Sequence, residues 1–186
     1  MSTGAGLIPW EKYGLIAELA RRFHALGQPI GRTMLEKTVY LLQELEGVDC
    51  GYDFSLYTYG PFAVEVLNDL DYVSALGGVL VTRDAVGRYD IQPGPKNAEI
   101  IDASRTFLDK HCRAIDRTIS AFGRYRAKEL ELRATIVYVA RHTPRQDAPS
   151  IEEEISSTVH EIKPRFALTE VREAVKDMRP YLRQRN

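Results

Sequence analysis

The chain has 186 residues, of which 44% are hydrophobic and 27% are charged, and its formal net charge is −1. This length and apolar content suffice for one folded domain, or for a small domain with a second helical lobe. The balanced charge excludes both a charge-driven disordered protein and a strongly basic nucleic-acid binder. The distribution is uneven, because residues 1–95 carry 7 basic and 12 acidic residues whereas residues 96–186 carry 18 and 14.

Residues 1–9 are rich in Gly, Ser and Thr and are predicted to form a flexible tail. They lack both the basic start and the long apolar run of a signal peptide. No other run approaches the roughly 20 apolar residues of a membrane span. Cys50 and Cys112 lie far apart and have neither disulfide-framework nor metal-ligand spacing. We therefore expect a soluble, cytoplasmic protein that has no metal site, needs no cofactor and does not associate with membranes.

Residues 10–95 are predicted to form a winged-helix-type lobe of three helices and a β-hairpin. Thr33 and Glu36 have the spacing of a capping box, and Pro61 suits the first turn of a helix, where its missing N–H has no partner. Gly87 can take the positive φ of a tight hairpin turn. The predicted elements are a helix over 10–26, a helix over 33–46, an aromatic strand or extended arm over 52–59, a helix over 61–76 and a hairpin over 80–91.

Residues 96–186 are predicted to form an all-helical lobe that begins with a long helix over 96–122, so that the fold class is mainly α. This lobe could also form one compact unit with the first. The long helix has an apolar residue at every seventh position, namely Ile101, Leu108, Ile115 and Phe122. Such a seam suits contact with another helix, either inside the same protein or in a homodimer.

The chain resembles the YwgA-like proteins, which are similar to the Panacea and SocA-like antitoxin domains. Four segments carry the resemblance: Leu35-Glu36-Lys37 with Tyr40-Leu41-Leu42-Gln43, Tyr57-Thr58-Tyr59-Gly60-Pro61-Phe62, Glu65 with Asp69-Leu70-Asp71, and residues 91–94, with a weaker echo at 163–166. The resemblance covers roughly residues 10–95. It implies a non-enzymatic module that neutralises a toxin by binding it or delivers the toxin to a protease.

On this basis the first hypothesis is an antitoxin-like or adaptor-like module that binds a basic protein, either a toxin or a nucleic-acid-processing enzyme. The acidic face of the third helix and the Tyr-Gly-Pro junction would form its surface. The residues assigned to this surface are Tyr57, Tyr59, Gly60, Pro61, Glu65, Asp69 and Asp71. The third helix contains no Lys or Arg, which argues against its insertion into the major groove of DNA.

The alternative hypothesis is a winged-helix transcriptional regulator that binds DNA through the basic region over 110–128. Its residues are Lys110, Arg113, Arg117, Arg124, Arg126 and Lys128. Phosphate contacts by these side chains would make binding salt-dependent. A run of like charges is also typical of a solvated face, and the acidic first lobe could neutralise it within the fold.

No catalytic constellation is evident. The four histidines are scattered, and neither a metalloprotease HExxH nor a nucleophile GxSxG motif occurs. We therefore predict that the chain is not an enzyme. The choice between protein and DNA as the ligand, the identity of the partner, the oligomeric state and the packing of the two lobes stay open at this point.

Overall fold

The structure is a computed structural model that describes residues 9–143 and 148–182. In these ranges the protein is mainly helical, as predicted, with eight helices and two small antiparallel sheets. The elements are α1 (Pro9–Ala25), α2 (Arg32–Glu46), β1 (Ser55–Tyr57), β2 (Gly60–Phe62), α3 (Val64–Ala75), β3 (Val79–Arg83), β4 (Tyr89–Pro93), α4 (Asn97–Ala103), α5 (Arg105–Phe122), α6 (Ala127–His142), α7 (Ala148–Ile162) and α8 (Leu168–Leu182). Residues 1–8 of the predicted tail lie outside the described residues.

Strands β3 and β4 form the predicted hairpin, in which Arg83 lies opposite Tyr89. Gly87 has a φ of +84°, which confirms the positive φ expected in this turn. The N–H of Ile91 donates a hydrogen bond of 2.9 Å to the carbonyl oxygen of Ile30, just before α2. This bond fixes the hairpin beside the start of α2.

One predicted helix start and one predicted capping box are wrong. Pro61 lies in strand β2, where it pairs with Leu56, and α3 begins three residues later at Val64. Helix α2 begins at Arg32 after an N-cap glycine and has no side-chain cap, so the predicted capping box does not form. Glu36, the predicted partner of Thr33 in the capping box, instead accepts a hydrogen bond from the N–H of Ala63.

The predicted long helix over 96–122 is two helices, α4 and α5, which meet at Ser104. Ser104 has non-helical backbone angles, and its hydroxyl donates to the carbonyl oxygens of Trp10 and Ile100. Trp10 belongs to α1, against which α4 packs. The break therefore lets the chain follow the surface of α1, a long-range contact that the heptad pattern does not encode.

The predicted dimer seam lies inside the protein. Leu108, Ile115 and Phe122 are buried, and Ile101 packs half-buried against the same core, so that a homodimer through this seam is excluded in this fold. Helix α6 is buried almost all round over residues 130–137, between α2, α7 and α8. One hydrophobic core thus includes residues of both halves of the chain. No helix in the described ranges has the length and apolar content to cross a membrane.

Candidate functional site

The Tyr-Gly-Pro junction folds as a tight β-hairpin. Tyr57 pairs with Gly60, so that Thr58 and Tyr59 form the turn between β1 and β2. Gly60 has a φ of +87°, a conformation that favours glycine. A Cβ atom at this position would lie 2.8 Å from Oγ1 of Thr135 on α6. Glycine therefore permits both the turn and the close approach of the hairpin to α6.

Two buried charges of α2 hold strand β2 in place. The Nζ of Lys37 donates a hydrogen bond of 2.6 Å to the carbonyl oxygen of Pro61 and lies 2.5 Å from a carboxylate oxygen of Glu36. The other oxygen of Glu36 accepts a 3.2 Å hydrogen bond from the N–H of Ala63. The side chain of Lys37 is 0% exposed. Gly60 and Pro61 are also buried, so neither can contact a partner directly.

A second buried ion group holds the tip of the hairpin. Lys163, which follows α7, donates to the carbonyl oxygen of Thr58 and has its Nζ 3.1 Å from Oε1 of Glu131 on α6. Arg165 forms an ion pair with the other oxygen of Glu131. Oε1 of Glu131 accepts no hydrogen bond of acceptable angle, so its contact with Lys163 is mainly coulombic. These charges join α6 and the segment after α7 to the turn.

The two ion groups influence each other. Burial lowers the pKa of Lys37, the nearby charges of Glu36 and Glu131 oppose this shift, and Lys163 adds to it. Three of the segments that carry the resemblance are thus close together in the fold: residues 36–37, the hairpin and residues 163–166. Apart from half-exposed Arg165, these charges are buried, so we interpret the network as the support that fixes the hairpin.

The hairpin presents two aromatic rings to solvent. Tyr57 is 66% exposed and Tyr59 is 58% exposed. The guanidinium carbon of Arg165 lies 5.3 Å from the ring centre of Tyr59 and also 5.3 Å from that of buried Phe166, while the Nζ of Lys128 lies 4.9 Å from the Phe166 ring centre. We call the exposed residues Tyr57, Tyr59, Lys128 and Arg165 the tyrosine platform. Exposed rings beside cations can stack on bases and contact phosphates.

The three acids predicted to bind a partner are used in different ways. Asp69 accepts a 2.9 Å hydrogen bond from the hydroxyl of Tyr52, which is buried. Asp71 forms an ion pair of 2.6 Å with Arg32 at the start of α2. Glu65 is exposed near the start of α3. Two of the three acids therefore already have partners within the fold.

The predicted basic region does not act as a single set of free cations. Its residues Lys110, Arg113, Arg117, Arg124, Arg126 and Lys128 are all exposed. Arg117 forms a 2.5 Å ion pair with Glu46 at the end of α2, which is the neutralisation within the fold that the uneven charge suggests. Arg126 is the N-cap of α6. Within this region Lys128, at the start of α6, belongs to the tyrosine platform and lies over the buried ring of Phe166.

A cavity of about 680 Å³ lies between the start of α2 and the β3–β4 hairpin. The guanidinium carbons of Arg32 and Arg83 lie 4.6 and 5.4 Å from the ring centre of Tyr89. We call this cavity the arginine groove, after its cationic residues Arg32, Arg83 and Arg88. Arg32 is distant in the chain from the hairpin and belongs to no motif, so the groove could not be recognised from the sequence. The wall also contains the carboxylates of Asp84 and Asp90.

One of the two cysteines is shielded from reaction. Cys50 is buried, and burial raises the pKa of its thiol to about 12, so the thiol stays protonated near neutral pH. Cys112 is half-buried on α5. No group of three or more His, Cys, Asp or Glu side chains suited to a metal ion occurs in the part of the chain that the structure describes.

No protein-family model matches the chain. A DNA ADP-ribosyl glycohydrolase from Thermus aquaticus is 28% identical to it over 145 residues, which cover 73% of this chain and 37% of the relative. The chain thus spans well under half of the length of that curated relative. Because the relative is named for an enzymatic reaction on DNA, the finding contradicts the prediction of a non-enzymatic interaction module and the prediction that the chain is not an enzyme. The YwgA-like resemblance stays a prediction.

Proposed function

We propose that the protein acts as an enzyme on ADP-ribosylated DNA and takes part in the hydrolytic release of the ADP-ribose group. The observation that carries this proposal is the match over 145 residues to a DNA ADP-ribosyl glycohydrolase. The match covers 73% of the chain and 37% of the relative, so the activity of the whole relative is a proposal for this chain.

The proposed reaction adds water across the bond that joins the ribose to the DNA. The hydroxyl group goes to the ribose carbon and the proton goes to the DNA, so no electrons are exchanged and no redox cofactor is required. The protein has to hold the DNA strand and the ADP-ribose group in a fixed relation, because positioning is a large part of such catalysis. Two surfaces of the described fold suit these two tasks.

The tyrosine platform is the surface proposed to hold the DNA. Stacking of a base on an aromatic side chain contributes about 1–3 kcal/mol, and nearby cations add salt-dependent phosphate contacts. Tyr57 and Tyr59 have exposed rings, and Arg165 and Lys128 supply the charges. Helix α3 contains Glu65 and lacks Lys and Arg, so it is a poor duplex reader.

Three finer proposals accompany this function. Residues 10–95 form a winged-helix-type lobe, in which the DNA lies across the platform and not along α3. Residues 96–186 form the helical lobe, of which α6 supplies Lys128. The protein works in the cytoplasm, where free thiols such as Cys50 and Cys112 persist.

A turnover assay tests the function. The purified full chain is incubated with an ADP-ribosylated oligonucleotide, and free ADP-ribose is measured by chromatography against a protein-free control. We expect protein-dependent release, with a KM that rises about tenfold or more when Tyr57 and Tyr59 are both changed to alanine, because two stacking surfaces are lost. Tyr72→Ala is the matched control, since Tyr72 is an exposed tyrosine on α3, outside the platform.

Two results would contradict these statements separately. An absence of ADP-ribose release by folded protein would overturn the proposed reaction. Release that is equally sensitive to Tyr72→Ala and to the double change at Tyr57 and Tyr59 would leave the reaction standing but remove the tyrosine platform from it.

A further inference from the structure

We propose that the arginine groove is a binding site for a nucleoside diphosphate. The inference deepens the proposed function, in which the ligand is the ADP part of ADP-ribose. It is derived from the groove itself and is tested by binding, independently of turnover.

The guanidinium groups of the groove keep hydrogen-bonding capacity for a phosphate. Arg83 donates through Nε to the carbonyl oxygen of Gly87 at 3.1 Å and forms no ion pair with a described carboxylate, so its terminal amino groups are available. Arg32 uses Nη2 for Asp71, and its Nε is buried, so its contribution to the groove is mainly its positive charge. Arginine binds phosphate oxygens through two parallel N–H donors, and such charge-assisted bonds are stronger than neutral ones.

Tyr89 lies against both of these guanidinium groups and is 38% exposed. A tyrosine ring and planar guanidinium groups offer flat surfaces on which a purine base stacks. The groove thus combines donors for a diphosphate with a surface for a base. Its volume of about 680 Å³ falls within the range of about 300–1,000 Å³ that is usual for small-ligand sites.

The start of α2 adds to the same wall. Its N-cap, Gly31, provides no side-chain hydrogen bond, and the first turn of the helix contains no acidic residue. The uncapped N–H groups of a helix start favour an anion. A Cβ atom on Gly31 would lie 3.0 Å from the carbonyl oxygen of Tyr89, so glycine allows the hairpin to lie this close to the helix. The arginines and the cavity carry the inference, and the helix start strengthens it.

The two carboxylates of the groove affect its expected affinity for a phosphate. Asp84 accepts hydrogen bonds from the backbone and side chain of Arg88, and these bonds lower the pKa of Asp84, so it stays ionised and occupied. Asp90 accepts a 2.7 Å hydrogen bond from Gln92 and forms no ion pair with a described residue. Asp90 lines the groove, so its negative charge weakens the binding of a phosphate there. A neutral residue at position 90 therefore makes binding tighter.

The groove adjoins the tyrosine platform. Ala127, at the start of α6, lines the groove, and the next residue, Lys128, lies over the Phe166 ring that Arg165 also covers. Arg165 in turn lies over Tyr59. Because the two surfaces are neighbours, a diphosphate bound in the groove would lie beside a DNA strand on the platform. An ADP-ribosylated DNA strand, which carries both groups, requires this arrangement.

Isothermal titration calorimetry of the full chain with ADP tests the inference, with adenosine and inorganic pyrophosphate as partial ligands. We expect saturable ADP binding that is weaker for either partial ligand and falls about tenfold or more in Arg83→Ala, as the loss of a charged hydrogen bond implies. Arg105→Ala removes an exposed arginine outside the groove and should leave ADP affinity unchanged. Asp90→Asn should tighten ADP binding several-fold.

Three outcomes would overturn the inference. No heat of binding with ADP at millimolar concentration would exclude a nucleoside diphosphate site. Equal losses in Arg83→Ala and Arg105→Ala would place binding outside the groove. Unchanged affinity in both Arg83→Ala and Asp90→Asn, with each variant folded by circular dichroism, would exclude the groove as well. Failure to release ADP-ribose from DNA, by contrast, would overturn the proposed reaction and leave ADP binding intact.

Discussion

Changing Lys37 to methionine should destabilise the protein far more than an ordinary lysine substitution. The side chain is 0% exposed, and its Nζ serves both Glu36 and the carbonyl oxygen of Pro61. Methionine fills a similar volume but leaves the buried carboxylate without its counter-charge and the carbonyl without this donor. Breaking a buried pair by removal of one partner costs about 3–5 kcal/mol of unfolding free energy, which for a chain of this size lowers Tm by roughly 6–20 °C.

Urea unfolding followed by circular dichroism measures this loss, and an unchanged dependence on urea concentration would show that the unfolding reaction is the same. The double variant with Glu36→Gln and Lys37→Met should recover most of the stability, because glutamine can still accept from Ala63 and no unpaired charge remains. Lys110→Met, at an exposed position on α5, should change stability by less than about 0.5 kcal/mol. The reasoning fails if Lys37→Met also stays within about 1 kcal/mol of the parent protein, or if the double variant is no more stable than the single one.

Four further predictions concern other parts of the structure. Gly60→Ala should lower the unfolding free energy by about 1–3 kcal/mol, because the positive φ is strained for alanine and the new Cβ meets Thr135. An unchanged midpoint of urea unfolding would refute the hairpin geometry. Because burial raises the pKa of Cys50 to about 12, this thiol should resist a disulfide reagent at pH 8 until the protein unfolds, and rapid labelling of Cys50 in the folded protein would contradict its burial. The same raised pKa means that the contribution of Cys50 to stability is complete below about pH 9 and is lost as the pH rises through about 12. The unfolding free energies of the parent protein and of a Cys50→Ala variant, measured as a function of pH, test this dependence. In the turnover assay, Arg165→Gln should raise KM, and the effect should shrink at high salt if the guanidinium contacts phosphate.

Most helices and the β3–β4 hairpin could be predicted from the sequence, because their signals are local. The apolar repeat over 10–26 corresponds to α1 at Pro9–Ala25, and the turn residue Gly87 lies where the hairpin pattern places it. The errors arose where distant contacts override local preference. Pro61 fits a first helical turn, but it lies in a strand and its carbonyl oxygen accepts a hydrogen bond from Lys37 of α2. Ser104 breaks a heptad helix because its hydroxyl bonds to α1.

The candidate site was harder to predict for a physical reason. A charged residue such as Glu131 is normally predicted to be exposed. Its burial is compensated by ion pairs with Lys163 and Arg165, which belong to a distant segment of the chain. The exposed rings of Tyr57 and Tyr59 were recognised as a surface, whereas the arginine groove was not. Its cations come from two elements, and no spacing rule joins Arg32 to the hairpin. The proposed enzymatic function could not be predicted, because no known catalytic motif is evident in the sequence.

Release of ADP-ribose from DNA is the measurement that tests the central claim most directly. The full chain, purified and shown to be folded, is mixed in excess with an oligonucleotide that carries a radiolabelled ADP-ribose group, and labelled product is followed over time. The account predicts first-order release that depends on the protein and is slowed in the Tyr57 and Tyr59 double alanine variant. Labelled ADP-ribose that stays on the DNA for as long as in the protein-free control would contradict it.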